Sequence, residues 1–190
     1  AFTTSREFPQ YGKVVVTFPA GFDLTNTPAA SSTSEIDGTF VTTVVGQVVT
    51  ITRQNDGTDE AAGAIRDLTL SNIGNPGVSG NTGTFTITTT DSSGATIDTL
   101  ATVPAVRITG VISSATITPA SLVAGASGNA VLAFTMSNLL PKDGKVVVTF
   151  PAGFDLTNTP AATSSDVDGT IATTVTDQVV TITRQNDGTN

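Results

Sequence analysis

Histidine, cysteine and tryptophan are absent from these 190 residues, and each absence removes a class of chemistry. Without cysteine there is no disulfide and no thiolate nucleophile. Without cysteine or histidine there is neither a zinc site of the usual ligand set nor a Ser-His-Asp relay. With no tryptophan and a single tyrosine, the aromatic platforms that hold sugars are missing too, and a glycosidase-type carboxylate pair would lack its subsites. Basic residues are also scarce: 8 Lys and Arg stand against 16 Asp and Glu, a formal net charge of -8. Scattered singly along an acidic chain, they could not neutralise a phosphate backbone, so nucleic acid is not an expected partner. No apolar run approaches bilayer-spanning length, and no basic stretch leads into a short apolar run and a cleavage site. The composition reads as an ordered, β-rich, non-catalytic chain with neither cofactor nor membrane span.

What is present is repetition. GKVVVTFPAGFDLTNTPAA occupies residues 12–30 and again, letter for letter, 144–162, and QVVTITRQNDGT occupies 47–58 and 178–189. The copies lie about 132 residues apart. The chain thus holds roughly one and a half copies of a unit of about 130 residues, a normal domain size. The phase of the repeat predicts two domains, 1–110 lacking its first strands and 111–190 lacking its last. That is the pattern of a window on a longer tandem array, or of units whose missing strands come from a neighbouring molecule.

The hydrophobic period is two. In KVVVTF the alternation turns Val14, Val16 and Phe18 inward, with Val15 and Thr17 outward; in AVLAFTM the inward set is Leu132, Phe134 and Met136. The same reading places Phe85 and Ile87, and Leu68 and Leu70, on core-facing sides. Asp-Gly pairs at Asp37-Gly38, Asp56-Gly57, Asp168-Gly169 and Asp187-Gly188 read as turns. About eight strands per unit and no capped helix predict an all-β fold of tandem immunoglobulin-like antiparallel β-sandwiches. The segment joining the units is rich in β-branched residues and has no Gly/Ser or charged run, so a stiff junction is expected.

LPKDGKVVVTFPAGF at residues 140–154 and LSNIGNPGVSGNTGTFTITTTDSSGATID at 70–98 resemble the tandem immunoglobulin-like repeats of large secreted or surface-anchored microbial and algal fibre, adhesin-stalk and matrix proteins. The resemblance covers nearly the whole chain. It implies an extracellular or cell-surface structural role, a fibre or matrix in which the repeat's main partner is itself. The alternative it implies is a stalk that spaces an adhesin's binding domain lying outside this chain.

Two kinds of candidate site remain. Asp56, Asp59 and Glu60, in NDGTDE, have the oxygen-rich composition of a Ca²⁺ loop, although their spacing departs from the EF-hand pattern. Glu35 with Asp37, and Asp166 with Asp168, are weaker versions. The second kind is O-glycosylation in two Ser/Thr/Pro/Ala stretches, with Thr25, Thr27, Ser31, Ser32, Thr33 and Ser34 in one copy. In the other the candidates are Thr157, Thr159, Thr163, Ser164 and Ser165. Covalent glycans would then be a second partner. No Asn begins an Asn-x-Ser/Thr sequence. The 37 threonines fit the wet faces of strands.

Overall fold

The computed structural model describes residues 2–33, 36–63 and 65–189. All regular structure among them is β-strand, and every strand pair is antiparallel. The chain divides into two compact units, residues 1–109 and 110–190.

The first unit runs β1 (Phe2–Thr3), β2 (Lys13–Thr17), β3 (Ala29–Ser31), β4 (Phe40–Val45), β5 (Val48–Arg53) and β6 (Ile65–Arg66). It continues with β7 (Thr69–Ser71), β8 (Gly80–Asn81), β9 (Phe85–Thr90), β10 (Thr96–Val103) and β11 (Arg107–Ile108). Its main sheet has the order β10-β9-β2-β5-β4, accompanied by the ladders β1-β6, β3-β7 and β11-β8. The second unit holds β12 (Ile112–Pro119), β13 (Ala130–Met136), β14 (Lys145–Thr149), β15 (Ile171–Thr176) and β16 (Val179–Arg184). These form the hairpin β12-β13 and the sheet β14-β16-β15.

Alternation of β-branched residues builds the main sheet. Its inner face brings Val14, Val49 and Ile51 into one buried cluster with Phe8, Phe22, Leu24 and Ile36, and Val16, Phe18, Leu68, Leu70, Phe85 and Ile87 pack against it. Each such side chain contributes roughly 1.5–3 kcal/mol on burial. On the outer face the registers set Thr99, Thr88, Val15, Thr50 and Thr43 side by side across the five strands. The Thr88 and Thr99 hydroxyls lie 3.3 Å apart. Such a face suits threonine, whose branched Cβ favours the strand while its hydroxyl meets water. In β13, Leu132, Phe134 and Met136 are half-buried while Val131, Ala133 and Thr135 are exposed, the parity expected from the sequence.

The Asp-Gly pairs do not close the hairpins. In both units the two-residue hairpin loop is elsewhere: Gly46-Gln47 between β4 and β5, and Asp177-Gln178 between β15 and β16. Gly46 and Asp177 take positive φ values of 58° and 52°, which this tight loop demands and which Gly and Asp tolerate better than most residues. Asp37-Gly38 and Asp56-Gly57 flank the hairpin and interlock. A Cβ on Gly57 would stand 2.3 Å from Asp37 Oδ1, so only glycine lets the two turns approach this closely.

Identical sequence meets different surroundings in the two units. KVVVT pairs with VVTITR in one register in both, Val14 opposite Ile51 and Val146 opposite Ile182. In the first unit β2 also pairs with β9, and β3 with β7. Among the described residues of the second unit, β14 pairs with β16 alone and residues 161–163 are not a strand. Phe22, at 7% exposure, is buried whereas its copy Phe154 is 44% exposed. A strand forms, and an aromatic ring is covered, only where a partner is present.

Candidate functional site

The most elaborate polar constellation in each unit is built around an arginine at the end of a strand. In β5 the inward parity of Val49 and Ile51 continues to Arg53, which therefore points into the protein and is 1% exposed. A buried guanidinium needs acceptors for its donors. Nη1 donates to the Phe8 carbonyl at 2.9 Å, and Nη2 to the Thr58 carbonyl at 2.6 Å and Asp37 Oδ1 at 2.7 Å. The guanidinium also lies 5.6 Å from the Phe8 ring centroid, within cation-π range.

Asp37 is held in turn by Thr58, whose N–H donates to both carboxylate oxygens at 3.0 and 2.9 Å and whose hydroxyl donates to Oδ2 at 3.0 Å. Asp56 reaches back across the hairpin, accepting from the Thr39 N–H at 2.8 Å and the Thr39 hydroxyl at 2.7 Å. The second unit repeats the arrangement. Arg184 donates to the Leu140 carbonyl at 2.7 Å, to Asp168 and to the Thr189 carbonyl; Thr189 N–H donates to Asp168 at 2.6 Å. Asp187 accepts from the Thr170 N–H at 2.8 Å. This lock joins the residue before the first main-sheet strand, the start of the hairpin and the segment leaving it. Its chemistry is cohesion.

The lock sets the acid response. Hydrogen bonds from the Thr189 hydroxyl and N–H, then the Arg184 contact, hold Asp168 at about 2 against its ordinary 3.8. Asp37 is also lowered, chiefly by the Thr58 N–H. A depressed carboxylate stabilises the fold above its unfolded value and loses that contribution as pH falls through the folded one. The second unit is therefore expected to lose thermal stability between about pH 4 and pH 2. Asp168→Asn should flatten that slope in thermal melts, and a slope unchanged by the substitution would contradict the assignment.

The candidate Ca²⁺ ligands face separate partners. Asp56 binds Thr39, Asp59 Oδ1 accepts from the Gln10 N–H at 2.8 Å, and Glu60 Oε1 accepts from the Asp37 N–H at 3.1 Å and lies 3.7 Å from Arg53. Among the described residues no three acidic side chains converge in a way that could hold a metal ion. Glu35 lies outside the described residues.

Of the glycosylation candidates, Thr27, Thr33, Thr159 and Thr163 are exposed. Thr25 and Thr157 are exposed but donate their hydroxyls to Asp23 and Asp155 at 2.6 Å. Ser31 lies in β3, opposite Thr69. The half-buried Ser32 accepts from the Ile36 N–H, and the exposed Ser164 from the Asp166 and Val167 N–H groups. Ser165, also exposed, donates to Asp166 at 3.1 Å. Ser34 lies outside the described residues.

The arginine lock was missed by motif reading, which weighed carboxylates as metal ligands. The signal that could have found it is parity: Arg53 and Arg184 continue the inward face of two otherwise apolar strands.

Compared with protein-family models, curated proteins and solved structures, the chain has no match.

Proposed function

We propose that this chain is a structural segment of tandem immunoglobulin-like β-sandwiches that builds an extracellular fibre, filament or matrix. Its affinity is for further copies of the repeat. The observation that carries this reading is duplication down to the lock: one chain holds the same strand registers, the same two-residue hairpin and the same Arg-Asp-Thr constellation twice. Sequence repeated letter for letter serves a scaffold whose units must be interchangeable. The layered core of the first unit, with β3-β7 residues packed against the main sheet, supports a sandwich. The exposed threonines of the two Ser/Thr/Pro/Ala stretches support O-linked glycans on its surface.

Electron microscopy of the native source material tests the proposal, with mass spectrometry of released peptides for glycans. A continuous filament with a regular axial repeat containing this sequence is the expected result. Thin stalks carrying this sequence below a different globular head would replace it with the adhesin-spacer reading.

A further inference from the structure

The free edge of β14 is the most specific unfilled feature of the molecule. In the second unit the Gly144 carbonyl accepts from the Arg184 N–H at 2.9 Å, and the Phe150 N–H donates to the Gln178 carbonyl at 2.8 Å. Peptide groups alternate along a strand, so Gly144, Val146, Val148 and Phe150 turn theirs toward β16. Lys145, Val147 and Thr149 turn theirs the other way, where no strand pairs with β14 among the described residues. An open row of N–H and C=O groups is a template for strand addition.

The first unit shows what fits such an edge. There Lys13, Val15 and Thr17, the same residues in the same strand, stand opposite Thr90, Thr88 and Thr86 of β9. Strand β9 also delivers Phe85, whose ring lies edge-on to Phe18 and Phe22 at 5.5 Å from each. In the second unit Phe150 and Phe154 stack at 5.3 Å without a third ring, and Phe154 is 44% exposed. The edge therefore lacks both a hydrogen-bonding strand and an aromatic residue at one defined step.

We propose that the β14 edge is a docking edge for the β9-type strand of a neighbouring copy of the repeat. Its threonines at the positions of Thr86, Thr88 and Thr90 stand opposite Thr149, Val147 and Lys145, and its Phe85-type ring covers Phe150 and Phe154. The docking edge belongs to the second unit itself, so it stands or falls independently of the fibre reading.

The test uses the isotope-labelled 190-residue chain and an unlabelled synthetic peptide of residues 83–104, read by amide hydrogen exchange. Saturating peptide should slow the Lys145, Val147 and Thr149 amides at least tenfold and leave the already paired Val146 and Val148 amides nearly unchanged. A peptide carrying Phe85→Asp and Ile87→Asp should do neither. Equal protection by the substituted peptide would overturn the proposal. Because a free strand can self-associate, the deciding measurement repeats the exchange on a fused chain in which residues 59–110 follow Thr189. If Val147 there exchanges as slowly as Val15, the docking edge stands. Exchange as fast as in the unfused chain overturns it.

Discussion

Replacing Arg53 with methionine is expected to lower the stability of the first unit by about 3 kcal/mol, seen as an earlier urea midpoint for its signals. The ion pair with Asp37 is a minor part of that loss, because Asp37 is 46% exposed and solvent screens it to roughly 1 kcal/mol or less. The larger part is the Phe8 and Thr58 carbonyls left without their donor, each costing on the order of 1–3 kcal/mol where buried. Arg53→Lys should recover less than half of the loss, since one ammonium cannot fork to acceptors on three segments. Arg184→Met should act in the same direction on the second unit. A first unit unmoved by Arg53→Met would mean that the lock follows the fold without holding it.

The second large effect is expected at Phe8, which is 0% exposed. Phe8→Ala should cost about 3–5 kcal/mol, because the core around a ring of that size collapses only partly. Phe8→Leu should cost about 1.5 kcal/mol or less. The chain carries its own control: Leu140 fills the equivalent place, packed against Gly144 as Phe8 is against Gly12. The remaining cost is the lost ring beneath Arg53. Unit-resolved urea unfolding of both variants checks the ordering, and equal losses for alanine and leucine would contradict it.

Much of the first unit was legible because its information is local. Val14, Val16 and Phe18 alternate with Val15 and Thr17, and the core takes the first set. The KVVVT and VVTITR runs are β-branched enough to be strands in both copies. Strand β3 was not legible, since Ala29–Ser31 becomes a strand by pairing with Thr69–Ser71, some forty residues away. Its second copy, without such a partner among the described residues, stays irregular. The Asp-Gly turns were seen, but not their use: the composition of NDGTDE suits calcium, hairpins and hydrogen-bonded locks alike. What separates these is which donors fold around each carboxylate, and that depends on residues as distant as Gln10, Thr39 and Arg53.

The central claim is that one sequence takes two environments according to which strands flank it. Its most direct test is amide exchange of Val15 and Val147 in the intact 190-residue chain. Both sit third in KVVVT, with peptide groups turned from the β5 or β16 side. Val15, bonded to β9, is expected to exchange at least about tenfold more slowly than Val147, while Val14 and Val146 are both protected. Equal protection of Val15 and Val147 would contradict the account.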